Sequence, residues 1–226
     1  MVSIFVNPIQ FDRADDLKNY PKPIDKDLEF CRGLGVDVVF APEEGGMYEA
    51  DHSVLVTEGR LSGGLCGAAR PGHFDGVCTV VLKLFLLTGC ECAVFGEKDF
   101  QQLAVIRRMV RDLDVPVEIV ACPTVREPDG LAMSSRNVRL TAEQRADAPR
   151  IVRILREVAG MRGEPGEMVE RARREIEEGG EAQVDYVRLI DAATLEEAGR
   201  VKGGVLLAAA VFYGGVRLID HVEIED

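Results

Sequence analysis

Basic residues are scarce in this chain. Of its 226 residues, 27 are Lys or Arg and 39 are Asp or Glu, so the net charge at pH 7 is −12. Proteins that bind nucleic acids usually present a basic face, and this balance therefore argues against a nucleic-acid partner. A small anionic ligand stays compatible with it, because a few local cations are enough to bind a phosphate group.

A long apolar run, a leader sequence and a zinc-type cysteine spacing are also lacking. The longest apolar stretch, residues 77–87, is short and contains Lys83, so no membrane span is expected. The N-terminus has neither the charged segment nor the cleavage site of a signal peptide. Among the six cysteines, Cys90 and Cys92 are spaced too closely for a zinc knuckle. We therefore predict reduced thiols, no metal site and a cytoplasmic location.

The first half of the chain alternates apolar runs with helical patterns, which is typical of crossover units in a parallel sheet. A glycine-rich stretch, residues 59–76, is predicted to be a loop. It carries Arg70 and His73, and is either an ordinary connection or an active-site gate. Strands are predicted at residues 2–6, 36–40, 93–95 and 117–121, and helices at residues 25–34, 77–89 and 100–113.

The second half changes character. A capping-box signature at Thr141 opens a helix that Pro149 should kink or split. A charged helix over residues 167–178 precedes strands at residues 184–190, 205–213 and 216–224, and the last two are joined by a two-residue glycine turn. The sequence thus predicts a parallel α/β domain, residues 1–124, followed by a smaller α+β domain with an antiparallel sheet, residues 125–226.

The loop after the third predicted strand carries a possible phosphate site. Glycine permits a close approach to the backbone, and the following helix start offers unpaired N–H groups. Lys98 supplies a cation for a phosphate, and Asp99 can accept hydrogen bonds from ribose hydroxyls. Alternatively, Asp99 caps the helix together with Gln102 and Lys98 is simply solvated. The segment consists of Gly96, Glu97, Lys98 and Asp99.

A second segment has the same potential. It consists of Met133, Ser134, Ser135 and Arg136. Two hydroxyls and a guanidinium can bracket a di- or triphosphate, although serines ahead of a helix are commonly caps. Since both segments follow strand-like stretches, together they predict a nucleotide site. Two neutral amides, Gln10 and Gln102, could hold a small hydroxylated carboxylate nearby, unless they are solvated.

Four motifs in collinear order make the chain similar to the pantothenate synthetase family from residue 2 to the C-terminus. They are Asn7-Pro8-Ile9-Gln10-Phe11, Arg70-Pro71-Gly72-His73-Phe74, Phe95-Gly96-Glu97-Lys98-Asp99 with its extension to Gln102, and residues 123–137. The resemblance implies a Rossmann-like domain of the nucleotidyltransferase type with a smaller C-terminal lid. It also implies a cytoplasmic homodimeric ligase of pantothenate biosynthesis, in the coenzyme A pathway.

The reaction implied by the resemblance has two steps. The carboxylate of pantoate attacks the α-phosphate of Mg²⁺-ATP, giving pantoyl adenylate and pyrophosphate, and the amine of β-alanine then displaces AMP. No covalent enzyme intermediate is needed, so positioning and charge stabilisation can carry the catalysis.

Roles for individual residues also follow from the resemblance. Gln10 and Gln102 would hold pantoate, with Gln10 also near β-alanine. Gly96, Glu97, Lys98 and Asp99 would bind ATP, with Lys98 as the catalytic cation at the phosphates and Asp99 at the ribose. Val125 would meet the adenine through its backbone, and Met133, Ser134, Ser135 and Arg136 would close on the phosphates from the lid.

One departure from the family pattern is large. The family begins with a strand that leads into a His-x-Gly-His motif, whereas the histidines here, His52, His73 and His221, are scattered. About one strand–helix unit is therefore absent, and in such a sheet the first strand is central. We expect the 226-residue polypeptide to be at most weakly active and to associate through unpaired strand edges.

Two other functions stay open. The first is a related adenylate-forming nucleotidyltransferase that acts on another carboxylate, for which Gln10 and Gln102 would have no pantoate to hold. The second is a non-catalytic remnant that binds a nucleotide or a partner chain.

Overall fold

The computed structural model describes residues 1–12, 14–161 and 163–224. Its first half contains two pairs of parallel strands: β1 (Val2–Ser3) with β2 (Val39–Phe40), and β3 (Cys92–Gly96) with β4 (Glu118–Cys122). Parallel strands need crossover connections, and helices supply them here. The helices of this half are α1 (Ala14–Lys18), α2 (Ile24–Gly33), α3 (Glu44–Met47), α4 (Leu65–Ala69), α5 (His73–Thr88) and α6 (Phe100–Asp112).

The glycine-rich stretch, residues 59–76, is more ordered than predicted. The prediction of a single loop is wrong, because the stretch contains a 3-10 turn (Leu61–Gly63), all of α4 and the start of α5. Side chains take up the backbone groups that regular structure leaves unpaired. The Glu58 carboxylate, for example, accepts hydrogen bonds from the backbone N–H groups of Arg60 and Ser62 at 3.1 and 2.8 Å.

The second half forms a three-stranded antiparallel sheet with helices packed on it, as predicted. The strands lie in the order β5 (Ala182–Asp191), β6 (Val205–Tyr213) and β7 (Val216–Ile224). The capping box at Thr141 opens α7 (Ala142–Asp147). Pro149 separates α7 from α8 (Arg150–Ala159), since a proline inside a helix lacks the backbone N–H and clashes with the preceding turn. A last helix, α9 (Pro165–Glu177), packs on β5.

The described residues form two apolar cores, of which one contains residues of both halves. The C-terminal core lies between the antiparallel sheet and the helices α8 and α9. The N-terminal core surrounds α5 and α6 and also takes in Ile190 of β5 and Leu206 of β6. The antiparallel sheet therefore contributes to both cores, and Ile190 and Leu206 also line the cavity described below.

In the part of the chain that the structure describes, no helix is both long enough and apolar enough to cross a membrane.

Candidate active site

A cavity of about 330 Å³ lies where the two halves meet. Its walls come from both predicted domains, so a ligand inside it would contact both. Five of the residues predicted from the sequence line it: Lys98, Asp99, Gln102, Ser134 and Arg136. Among the described residues, the other predicted site residues lie outside this lining: Gln10, Gly96, Glu97, Val125, Met133 and Ser135.

The loop between β3 and α6 places a cation and a carboxylate on the cavity wall. Lys98 and Asp99 lie in a 3-10 turn, and Lys98 Nζ is 3.8 Å from Asp99 Oδ2. The side chain of Lys98 is 21% exposed and that of Asp99 is 50% exposed. Asp99 stands at the N-cap of α6 but makes no capping hydrogen bond. The capping interpretation is therefore not supported, and both charged groups face the cavity.

A hydrogen-bonded network fixes Gln10 next to residues that line the cavity. Asn7 is buried, and its Nδ2 donates to Gln10 Oε1 at 3.1 Å and to the Gly76 carbonyl at 3.0 Å. The hydroxyl of Tyr48 donates to Asn7 Oδ1 at 2.8 Å. A Cβ at Gly76 would come within 2.7 Å of the Gln10 backbone. Only glycine permits this close packing of α5 against the turn that carries Gln10.

His73 and Arg70 support the same turn from inside. His73 Nδ1 donates to the Gln10 carbonyl at 2.8 Å, and Arg70 donates to that carbonyl at 3.2 Å and to Asp12 at 2.8 Å. His73 is only 8% exposed. Burial, together with the positive charge of Arg70, lowers the pKa of His73 to about 4. This segment is packed structure and not the loose gate considered above.

In the second predicted phosphate segment, the arginine is already paired with an acidic residue. Arg136 donates to Asp16 of α1 at 2.9 Å and lies over the ring of Tyr20 at 5.4 Å. Arg139 donates to the same carboxylate at 2.9 Å. Burial raises the pKa of Asp16, but its hydrogen bonds to the two arginines outweigh this and hold that pKa below its usual value.

The two serines of this segment also have partners. Ser134 is the N-cap of a 3-10 helix (Ser135–Arg139) and accepts from the Arg136 N–H at 3.2 Å, so its capping role is confirmed. Ser135 donates to the Tyr20 hydroxyl at 3.1 Å. The segment thus closes on α1, which covers the cavity on this side.

Strand β7 contributes Asp220 and His221 to the cavity lining, which was not predicted from the sequence. Asp220, 6% exposed, forms a bidentate ion pair with Arg126 at 2.7 and 2.8 Å. The ring of its neighbour His221 lies 5.2 Å from that of Phe100, at the start of α6. Burial lowers the pKa of His221. These contacts join residues about a hundred positions apart, and only the polar positions within an apolar strand pattern could have signalled them.

A second missed cluster lies at the base of the cavity. Arg217 of β7 donates to Cys66 Sγ at 3.4 Å and to Asp185 at 2.8 Å, and it lies over the ring of Tyr186 at 5.7 Å. The Tyr186 hydroxyl is 3.5 Å from Cys66 Sγ. Cys66 thus connects the glycine-rich stretch of the first half to the antiparallel sheet of the second.

Comparison with known proteins identifies the family. The profile of the family described as "Pantoate-beta-alanine ligase" matches residues 1–223. Pantothenate synthetase from Akkermansia muciniphila is 48% identical over 99% of this chain and 81% of that protein. The enzyme of the same name from Desulfovibrio desulfuricans is 48% identical over 98% of this chain and 80% of its own length.

Solved structures agree. The crystal structure of pantothenate synthetase from Thermus thermophilus matches with a TM-score of 0.94 at 44% identity, over 100% of this chain and 83% of that one. Pantoate-beta-alanine ligase from Francisella tularensis, complexed with beta-gamma ATP and beta-alanine, matches with a TM-score of 0.81 at 32% identity. That match covers 98% of this chain and 78% of the other. The chain belongs to the pantoate–β-alanine ligase family.

Proposed function

We propose that the cavity is the place where this chain condenses pantoate with β-alanine at the expense of ATP. The reaction passes through a pantoyl adenylate and releases pyrophosphate and AMP. The observation that carries the proposal is the meeting of Lys98, Asp99 and Gln102 at the start of α6 with Ser134 and Arg136 across one cavity. The Francisella relative, which is complexed with beta-gamma ATP and beta-alanine, adds support.

Lys98 is the group suited to the first step. When the pantoate carboxylate attacks the α-phosphate, negative charge builds up on the phosphoryl oxygens and on the departing pyrophosphate. A cation held in place before the reaction stabilises that charge without reorganisation. Lys98 meets this requirement, because its side chain is mostly buried and lies on the cavity wall beside Asp99. Asp99, whose side chain is 50% exposed, would accept hydrogen bonds from the ribose.

The two glutamines are suited to hold pantoate. An amide offers an oxygen acceptor and an NH₂ donor. The Oε1 atom of Gln10 already accepts from Asn7, so this contact directs the amide and leaves its NH₂ group to donate to the substrate. Gln102 lines the cavity, and its backbone is held by the burial of the preceding residue, Gln101. Neutral amides bind a carboxylate without neutralising it, which preserves its nucleophilicity.

The second domain, residues 125–226, serves in this proposal as a lid that closes on ATP. Arg136 would exchange Asp16 for a phosphate group on closure, since guanidinium binds both kinds of oxyanion in the same geometry. Residues past a boundary near Val125 would move together as a hinged body. The proposed ATP contacts are Gly96, Glu97, Lys98 and Asp99 of the first domain, and Val125, Met133, Ser134, Ser135 and Arg136 of the second.

Further parts of the proposal concern the cofactor, assembly and location. Mg²⁺ enters as the ATP complex, since magnesium in such reactions is held largely by the substrate phosphates. The active form is a homodimer. The location is the cytoplasm, where its free thiols match the reducing conditions.

The proposal is tested by mixing the 226-residue polypeptide with Mg²⁺-ATP and a panel of carboxylates. We expect pyrophosphate release that requires pantoate, and AMP formation that requires both pantoate and β-alanine. The same assay on a polypeptide extended by the strand and His-x-Gly-His motif of the family pattern should give faster turnover. Comparable pyrophosphate release with an unrelated carboxylate would favour another adenylate-forming enzyme. ATP binding in a calorimeter, without pyrophosphate release by either polypeptide, would favour a non-catalytic nucleotide binder.

A further inference from the structure

The cavity wall contains a strained turn. Leu65, at the start of α4, has a φ of +48°, in the left-handed region that residues with a side chain rarely adopt. A Cβ at Gly67 would collide with the Ser62 carbonyl oxygen, so the chain folds back tightly here. Leu65 and the following Cys66 both line the cavity. A strained conformation persists only where surrounding groups hold it.

The groups that hold it belong to one side chain. Gln101 of α6 is 6% exposed, and its Nε2 donates to the carbonyls of Leu61 and Gly64 at 2.9 and 2.8 Å. Its Oε1 accepts from the backbone N–H of Cys66 at 2.9 Å. Two of these three bonds are made to the residues on either side of Leu65. One buried amide therefore fixes both ends of the strained position.

The next residue along α6 is Gln102, which we have proposed to hold pantoate. We infer that Gln101 is a positioning residue for the pantoate subsite, an inference that rests on the proposed function. It acts by locking the turn of residues 61–66 onto α6, so that Leu65, Cys66 and Gln102 keep one fixed arrangement on the cavity wall. The ATP-binding loop before α6 receives none of the Gln101 side-chain bonds described above, so the effect belongs to pantoate and not to ATP.

Cys66 provides a local readout of this turn. Its sulfur touches Arg217 and Tyr186 of the antiparallel sheet, and it lines the cavity, where a small alkylating reagent can reach it. If the turn loosens, Cys66 leaves these contacts and its reaction rate changes. Cys31 and Cys78 are buried in the first half and report whether that half, which contains the turn, unfolds.

The test compares Gln101→Met with the unaltered chain, because methionine keeps the volume of the side chain and removes its hydrogen bonds. Pantoate and Mg²⁺-ATP are titrated separately in a calorimeter, and iodoacetamide labelling of each cysteine is followed by peptide mass spectrometry. We expect pantoate to bind about tenfold more weakly, the order of one or two lost hydrogen bonds, with ATP affinity within about twofold. Cys66 should be alkylated several times faster, with Cys31 and Cys78 still protected.

Two control variants separate the explanations. Gln102→Ala should weaken pantoate binding and leave Cys66 labelling unchanged. Gln183→Ala, at an exposed position of β5, should change neither. If Gln101→Met exposes Cys31 and Cys78, the shorter amide of Gln101→Asn is used, and the same two effects are expected in reduced size.

Unchanged pantoate binding in a folded Gln101 variant overturns the inference, whether or not Cys66 labelling changes. Weaker pantoate binding with unchanged Cys66 labelling also overturns it, since the effect would not pass through the turn. If the unaltered chain binds no pantoate, the proposed function fails, and the subsite role of Gln101 with it. In that case, faster Cys66 labelling in the Gln101 variant would still show that Gln101 holds the turn of residues 61–66.

Discussion

Lys98 is the residue on which the proposed chemistry depends most directly. Its ammonium group lies on the cavity wall, 3.8 Å from the carboxylate of Asp99, in a turn fixed between β3 and α6. Removing one preorganised donor to developing charge typically slows a reaction about a hundredfold or more. Lys98→Ala should therefore lower the single-turnover rate of pyrophosphate release by at least about that factor, without changing thermal stability appreciably. The rate is measured relative to the unaltered chain of the same length.

Lys26→Ala serves as the control, because Lys26 is exposed on α2, away from the cavity lining. It should leave pyrophosphate release unchanged. A Lys98 variant with the normal rate would mean that this lysine is a solvated surface residue, and the catalytic assignment would then be wrong.

His73 makes stability depend on pH. Its pKa is lowered by burial from 6.5 to about 4, so between these values the unfolded chain binds a proton that the folded chain does not. The free energy of unfolding therefore falls as the pH drops below 6.5. Above that value His73 is neutral in both states, and this loss of stability is absent. From pH 7 to pH 5 this group alone should cost about 2 kcal/mol of unfolding free energy. Burial raises the pKa of its neighbour Asp12, but hydrogen bonds, first of all the one from Arg70, outweigh this and hold that pKa below the usual carboxyl value, so Asp12 does not titrate over this range.

Urea unfolding of the chain and of His73→Gln at pH 7 and pH 5 measures this term. Glutamine cannot titrate, so the variant should lose about 2 kcal/mol less than the unaltered chain over that interval. His52→Gln, at an exposed position, should follow the unaltered chain. Identical pH dependence in all three proteins would show that His73 takes up a proton in the folded state as readily as in the unfolded state.

At the residue scale, sequence reasoning located groups whose role is set by local structure. The position of Lys98, Asp99 and Gln102 at one site could be predicted, because a strand end followed by a helix start is recognisable in the sequence. Arg217 and His221 could not, since each acquires its role from a partner in the other half of the chain. Gln101 belongs to the same motif as Gln102, and nothing in the sequence indicates that its amide is the buried one of the two.

At the element scale, helix ends with glycine were predictable and helix starts were less so. α5 ends where Gly89 adopts the left-handed conformation with φ 59°, as the sequence indicated. It begins at His73, four residues before the predicted start. The glycines before it hid a packed segment, because part of its order comes from hydrogen bonds to side chains outside it, those of Glu58 and Gln101.

Helix α1 covers the cavity through a single carboxylate. Asp16 binds both Arg136 and Arg139 at 2.9 Å, and in the proposed lid closure it would compete with a nucleotide phosphate for Arg136. Partly exposed ion pairs of this kind are worth about 0.2 to 1 kcal/mol. Asp16→Asn should consequently lower the dissociation constant of Mg²⁺-ATP by up to about fivefold. Calorimetry measures the affinity, and hydrogen exchange should show faster exchange in α1.

Asp15→Asn on the same helix is the matched control. Asp15 is exposed, and its change should alter neither ATP affinity nor exchange in α1. Weaker ATP binding by Asp16→Asn would reverse the interpretation. The carboxylate would then hold Arg136 ready for the nucleotide and would not compete with it.

At the scale of the whole molecule, the two parallel strand pairs are left separate. Within the described residues, β1 pairs only with β2, and β3 pairs only with β4. Apolar side chains stand exposed on β3 and at the end of α5: Val94 is 62% exposed, Leu86 74% and Leu87 58%. Unpaired strand edges beside apolar surface are sites at which other chains add.

We therefore expect the 226-residue polypeptide to self-associate through the free edge of β3. Sedimentation velocity from about 1 to 100 µM, the range in which exposed edges and apolar surface cause association, should show dimers or larger species increasing with concentration. Val94→Lys places a charge on this strand and should shift the protein towards monomer, since lysine on an edge opposes strand addition. Val138→Lys alters a still more exposed valine outside the strands, 79% exposed, and should leave association unchanged. A polypeptide that stays monomeric over the whole range, or two valine variants that associate to the same extent, would rule out the β3 edge as the contact. The proposed homodimer would then need another surface.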